Sequence, residues 1–239
     1  MFLYQPPGGY CYNSDSIFLV DFARRFAPGG KLLDVGCGVG ILSLLLGRDY
    51  PVEVHLSEKQ PRMLAYARHN FAINGIAAKE HPGDFMQVEF SERFDWIVSN
   101  PPFYDPRVTQ SKEESLNISR YAHHLPLEPF VVKVGRLLTP RGRFVLCYDA
   151  KQSDRLLEVL RRERLTPETI RFVHSKIDRE AKIVMVQARA GSRSLCRVLP
   201  PLVVFGSDGE YTSEAAEAFV RAGTHSVKAD GFDERNMEQ

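Results

Sequence analysis

From Lys31 onward the chain alternates short apolar runs with amphipathic segments, and that alternation leaves few folds open. KLLDVG (31–36) reads as a strand ending in glycine, and ILSLLLGRD (41–49) as a helix. PVEVHLSE (51–58) is the next strand, and PRMLAYARHNFAING (61–75) a helix with proline at its start and glycine just past its end. IAAKEH (76–81) and FDWIVSN (94–100) predict a third and a fourth strand, and LPLEPFVVKVGRLL (125–138) a further helix. RGRFVLCYD (141–149) predicts a fifth strand and KQSDRLLEVLRRERL (151–165) a strongly amphipathic helix. The β-rich runs ETIRFVHS and AKIVMVQAR, separated by KIDRE, predict an antiparallel pair at one edge. Repeated strand–helix units imply an α/β fold with a mainly parallel sheet and helices on both faces.

The turn after the first strand, Asp34-Val35-Gly36-Cys37-Gly38-Val39-Gly40, lets the backbone bend sharply and approach a ligand closely. A dinucleotide fingerprint, GxGxxG, would need glycine where Ile41 stands, which disfavours a nicotinamide dehydrogenase. GxGxG preceded by an acid resembles instead the cofactor loop of class I S-adenosylmethionine (SAM) methyltransferases. The second strand ends at Glu58, 18 residues after Gly40, where a carboxylate can accept both ribose hydroxyls of an adenosine. By the same resemblance, Asp84 of Gly83-Asp84-Phe85 would face the adenine amino group, and Phe85 would flank the ring. Singly these are a tight turn and surface charges; together they sit at successive strand ends on one sheet edge, where ligands of open α/β sheets bind.

SNPPFY (99–104) ends the fourth strand on that same edge. Two prolines stop a ladder, since each lacks an N–H and fixes its own φ. Chemically, Asn100 Oδ1 and the Pro101 carbonyl can accept the two N–H groups of an exocyclic amine, turning its lone pair toward a methyl donor. Pro102 stiffens that carbonyl's direction, and Phe103 offers a stacking face. The tetrapeptide resembles the (N/D/S)PP(Y/F/W) signature of enzymes that methylate planar amino or amide nitrogens: adenine N6, cytosine N4, guanine N2, or a release-factor glutamine. The tetrapeptide alone does not choose among them.

Nearly the whole chain is similar to the bacterial tRNA adenine-N6 methyltransferases that act on the purine beside the anticodon of valine tRNA. The similarity rests on Gln5, Gly9-Tyr10 and Asn13-Ser14-Asp15, with Cys11 and Tyr12 as departures, and on ARHNFAINGI (67–76). It rests also on Arg120-Tyr121-Ala122-His123-His124, on HSKIDREAKIVMVQARAG (174–191) and on GEYT (209–212). It implies a Rossmann-like class I methyltransferase: a seven-stranded, mainly parallel sheet with one antiparallel edge strand. It further implies SAM as cofactor, bound by Asp34, Gly36, Cys37, Gly38, Gly40, Glu58, Asp84, Phe85 and Asn100, with Asn100, Pro101, Pro102 and Phe103 catalytic. An RNA substrate would meet Tyr10, Tyr104, Arg107, Lys112, Arg120 and Lys176. His123 and His124 read as structural or capping residues. Release-factor enzymes usually carry a helical N-terminal domain and guanine-N2 enzymes a duplicated one; about 30 residues precede the first strand here. A DNA-amino methyltransferase and a non-catalytic RNA-binding module stay open as alternatives.

Composition sets the setting. Of 239 residues, 44% are hydrophobic and 26% charged, enough for a sizeable core, and the net charge of +1 gives no global basic field. Any RNA-binding charge must therefore be local. The four cysteines lack metal-ligand spacing, so no zinc site is expected, and their scatter fits a reducing compartment. MFLYQPPGGYCYNSD is no secretory signal, and no apolar run approaches the ~20 residues of a membrane span. A cytoplasmic monomer with tRNA as partner is expected, with no membrane and no metal. Residues 1–30 would pack on the core and contribute to the substrate site. Residues 31–224 would form the methyltransferase domain, and 225–239 a disordered tail.

Overall fold

The first apolar run becomes the middle of a sheet. In the computed structural model, which describes residues 1–7, 13–101 and 125–230, β2 (Gly30–Val35) is paired in parallel by β3 (Val52–Glu58) on one side and β5 (Phe94–Ser99) on the other. β4 (Ala78–Pro82) extends the β3 side, and β6 (Leu138–Asp149) the β5 side. The direction of strand order thus reverses at β2, which places a crevice at the carboxyl ends of β2 and β5.

Beyond β6 come β8 (Ala181–Ala190) and then β7 (Leu165–His174), with the two-residue strands β9 (Arg197–Val198) and β10 (Leu202–Val203) both pairing β7. The seven long strands match the expected number. The antiparallel strand, β8, lies inside the sheet, between β6 and β7, instead of at its edge. Six consecutive residues of β8, Ile183 to Ala188, are buried, as a strand paired on both sides requires, and β9 and β10 shield the outer flank of β7.

The helices are α1 (Ser14–Arg24), α2 (Ile41–Asp49), α3 (Pro61–Ile73), α4 (Leu127–Leu137), α5 (Ser153–Arg162) and α6 (Ser213–Ala222). α5 buries Leu156, Val159 and Leu160, the i, i+3, i+4 stripe expected of its pattern. α1 begins at Ser14 because Asn13 caps it by accepting the Ser16 N–H at 3.3 Å. Such a cap stabilises a helix by about 1 kcal/mol. Phe18 and Phe22 of α1 are fully buried, each contributing roughly 1.5–3 kcal/mol. That burial clamps α1 to the core beside β6 and fixes where its first turn points.

Two further short strands, like β9 and β10, escape the sequence pattern. β1 (Phe2–Gln5) pairs in parallel with β11 (His225–Lys228), so the expected tail is ordered over its first four residues. Four residues with a single apolar side chain, Val227, show no strand pattern by themselves; they are held by β1 and, just beyond, by the Tyr66 hydroxyl, which donates to the Ala229 carbonyl at 2.5 Å. Residues 231–239 lie outside the described residues. Among the described residues, no helix is long and apolar enough to cross a membrane.

Candidate active site

Four strand ends converge on one edge. At the end of β2 the chain turns through Gly36 (φ 68°), Gly38 (φ 56°) and Gly40 (φ 87°) before α2 starts. All three occupy the left-handed region that favours glycine. They differ in surroundings. A Cβ on Gly36 or Gly38 would meet nothing within 4 Å, so both face open space, whereas one on Gly40 would lie 2.9 Å from the Phe71 ring. Gly36 and Gly38 leave room for a ligand; Gly40 leaves room for α3. Cys37, between them, is buried, and burial pushes its thiol well above the ordinary range.

Asp34 is fully buried beneath this loop. Its Oδ2 accepts from Ser43 Oγ at 2.7 Å and Ser43 N at 3.2 Å, while Oδ1 has no hydrogen-bond partner among the described residues. Burial pushes this carboxyl up to about 7. Glu58, 6% exposed, accepts the Gly38 N–H on Oε2 and the Gln60 N–H on Oε1, both at 2.8 Å. Burial raises its pKa, and these backbone bonds oppose the rise. At the end of β4, Asp84 accepts the Met86 N–H at 2.9 Å and pairs with Lys59 at 3.1 Å. Partial burial would raise this carboxyl, but the two contacts outweigh it and hold it below its ordinary range.

Phe85 differs from expectation. Its ring is 5% exposed and packs against Phe90 and Phe130, with centroids 5.8 and 5.7 Å away and Lys133 Nζ 5.0 Å from its own. A large apolar ring at the head of a turn falls into the nearest core, so little of its face is left for a base to stack on.

At the end of β5, the Ser99 hydroxyl donates to the Val35 carbonyl at 2.8 Å, joining this strand end to the start of the glycine loop. Asn100 is half-buried. Its Nδ2 donates to Ser16 Oγ at 3.1 Å, and its Oδ1 accepts from Cys147 Sγ at 2.7 Å. Burial holds the Cys147 thiol protonated, so it remains a donor at neutral pH. Ser16 and Cys147 carry no signal in the sequence, because a serine in a helix's first turn and a cysteine in an apolar strand have no chemical signature alone. Pro101 is buried. Pro102, Phe103, Tyr104, Arg107, Lys112, Arg120, Tyr10, His123 and His124 lie outside the described residues.

Lys176 is half-buried in the turn joining β7 to β8, where its carbonyl accepts the Arg179 N–H at 3.1 Å. Since β8 runs antiparallel to both neighbours, β7 runs with β6, and this turn projects from the crevice edge. Two other features lie away from it. A cleft of about 330 Å³ lined by Asp95, Trp96 and Arg143 opens at the amino ends of β2, β5 and β6. Among the described residues, Glu53, His55 and Glu92 bring potential metal-ligating atoms within 4.8 Å of one another. Both carboxylates already have ammonium partners, Lys79 at 2.6 Å from Glu53 and Lys31 on Glu92.

The chain is similar to several known proteins. The chain is 27% identical, over 84% of both sequences, to the tRNA1(Val) (adenine(37)-N6)-methyltransferase of Porphyromonas gingivalis strain W83. It is 36% identical to ribosomal RNA small subunit methyltransferase C of Sodalis glossinidius over 47% of this chain, and there it spans only 32% of that protein's length. Among solved structures, a predicted O-methyltransferase of Agrobacterium tumefaciens superposes with a TM-score of 0.68 at 15% identity, covering 90% of this chain and all of the other. A Thermus thermophilus 16S rRNA N2 methyltransferase, solved with AdoMet and guanosine, superposes with a TM-score of 0.54 at 21% identity, covering 75% of this chain and 44% of the other. These two likenesses establish a fold shared with class I methyltransferases. Residues 13–153, which carry the glycine loop, Glu58, Asp84 and Asn100, match the methyltransferase small domain, and the chain belongs to that family.

Proposed function

We propose that this chain is a SAM-dependent tRNA methyltransferase that places a methyl group on the exocyclic N6 of an adenine beside the anticodon, working in the cytoplasm as a monomer without a metal. The observation that carries the reading is Asn100: an amide oriented by two neighbours at a strand end, beside a glycine loop that faces open space. Relatives named for tRNA adenine-N6 methylation are covered over 65–88% of their length, against 32% for the Sodalis rRNA relative, which favours the tRNA substrate.

The residues fit the cofactor. Gly36 and Gly38 leave the approach clear, Asp34 keeps a buried acceptor oxygen free, and each Glu58 oxygen retains a lone pair beyond its backbone bond for a ribose hydroxyl. Asp84 and Lys59 would border the adenine, with Phe85 as the floor of that subsite and not its stacking face. When bound, SAM supplies an electrophilic methyl on a sulfonium. Asn100 Oδ1 and the Pro101 carbonyl accept the amine's two N–H groups, which turns the nitrogen lone pair out of conjugation and toward that methyl. The methyl would pass from sulfur to that nitrogen, leaving the neutral thioether, and the proton the nitrogen then gives up would go to solvent. Positioning of this kind supplies up to roughly 7–11 kcal/mol in the best-oriented cases. Phe103 and Tyr104 would stack the base, and Tyr10, Arg107, Lys112, Arg120 and Lys176 would bind phosphates or bases, giving salt-dependent affinity.

Incubation with labelled SAM and separate pools of tRNA, ribosomal RNA, DNA and release factor tests the reading, with nucleoside mass spectrometry on the labelled pool. N6-methyladenosine in tRNA is the expected product. Label confined to guanine N2 or to a protein glutamine overturns it.

A further inference from the structure

Asn70, on α3, is fully buried between β1 and the glycine loop. Both of its N–H groups and its oxygen are engaged. Oδ1 accepts the Tyr4 N–H at 2.7 Å, and Nδ2 donates to the Tyr4 carbonyl and to the Val39 carbonyl, both at 3.0 Å. One turn later Asn74 makes the same two-point contact with Phe2, accepting its N–H at 3.3 Å and donating to its carbonyl at 2.8 Å.

A primary amide offers the same adjacent acceptor and donor as a peptide unit. The two asparagines therefore stand in for a neighbouring strand. Their spacing matches that of a strand, since four helical residues rise about 6.0 Å and two strand residues about 6.6 Å. β1 is thus paired by β11 along one edge and by side chains of α3 and its C-cap along the other.

The two asparagines are not equivalent. The second N–H of Asn74, the C-cap of α3, returns to the Asn70 carbonyl at 2.8 Å. That of Asn70 crosses to the glycine loop. The Val39–Gly40 peptide is then held at both ends, its carbonyl by Asn70 and its N–H by the Cys37 carbonyl at 2.8 Å. This peptide opens α2 and follows directly on Gly38, whose N–H sits on Glu58. On its other side, β1 belongs to the N-terminal part of the chain that also carries the Asn13 cap of α1, whose Ser16 holds Asn100.

We propose that Asn70 is a positioning residue that sets the glycine loop against β1, so that the loop's readiness for SAM and the seating of the N-terminal strand ahead of α1, which holds Asn100, depend on one side chain. The substrate half of this inference rests on the tRNA reading above; the SAM half does not.

The test compares Asn70→Ala, Asn70→Asp and Asn74→Ala by calorimetric SAM titration, by thermal melting, and by kinetics with tRNA. Asn74→Ala removes a β1 anchor but no loop contact, so it should lower the melting temperature and leave the SAM dissociation constant within about twofold. Asn70→Ala should weaken SAM by about tenfold, near the upper range for loss of one buried hydrogen bond. It should also raise KM for tRNA, with kcat at saturation within about threefold of wild type, a split that mere loss of stability would not produce. Asn70→Asp keeps the acceptor for Tyr4 and sets a carboxylate against Val39, so it should weaken SAM at least as much, and it decides the matter if Asn70→Ala does not fold. Unchanged SAM affinity in the folded Asn70 variants, or an equal loss in Asn74→Ala, overturns the proposal. The expected SAM losses in a protein that methylates no tRNA support the role of Asn70 and overturn the substrate reading alone.

Discussion

The Gly38 N–H donates to Glu58 Oε2 at 2.8 Å, and through this bond the loop after β2 closes onto the acid that ends β3. Gln60 occupies the other oxygen at 2.8 Å, so both faces of the carboxylate are set by backbone donors. Glu58→Gln would turn an NH₂ group against one of them. It should weaken SAM binding by about tenfold or more, read by calorimetry, because a buried donor loses its acceptor. Binding unchanged from wild type would remove Glu58 from the cofactor site.

Asn100 is oriented by Ser16 and Cys147, and the two contacts should be separable from the chemistry. Asn100→Ala should lower methyl transfer by about a hundredfold or more with SAM affinity nearly intact, since positioning and not cofactor binding is lost. Cys147→Ala frees Oδ1 and lets the amide rotate; a fall of roughly three- to tenfold in kcat is expected from one weak hydrogen bond. Single-turnover rates check both. A Cys147→Ala rate equal to that of Asn100→Ala would mean the thiol acts directly.

The glycines of the loop should respond differently to alanine. Gly40→Ala meets both a left-handed φ of 87° and the Phe71 ring at 2.9 Å, and should cost roughly 2–4 kcal/mol of stability. Gly38→Ala has the φ strain alone, about 1–2 kcal/mol, but its methyl enters the open space and should impair SAM binding out of proportion. Denaturant titration and calorimetry on the pair distinguish packing from ligand clearance. Equal behaviour would refute the distinction.

Asp34 should leave a mark on the pH dependence of stability. Its folded pKa is raised from the model-peptide value of 3.8 to about 7, so the folded state binds more protons between those values and loses stability as pH rises through that window. Asn at this position carries no such penalty. The stability of Asp34→Asn relative to wild type should therefore grow from about pH 4 to about pH 7, at up to about 1.4 kcal/mol per pH unit, and level off above. Urea titrations across that range measure it; a constant difference would show that Asp34 ionises freely in the fold.

The amino-acid sequence by itself determined the alternating strands and helices, the glycine turn and the acids and amide at successive strand ends. These are local properties: apolar periodicity, φ preference and the missing N–H of proline act within a few residues. The position of β8 was less legible, because pairing order is set by contacts between distant strands. Only the tertiary structure decided that β1 and β11 pair, that Phe85 turns into the core, and that Ser16, Cys147 and Asn70 hold the site. Each of those outcomes joins residues far apart in the chain, through hydrogen bonds or burial that no single segment can satisfy alone.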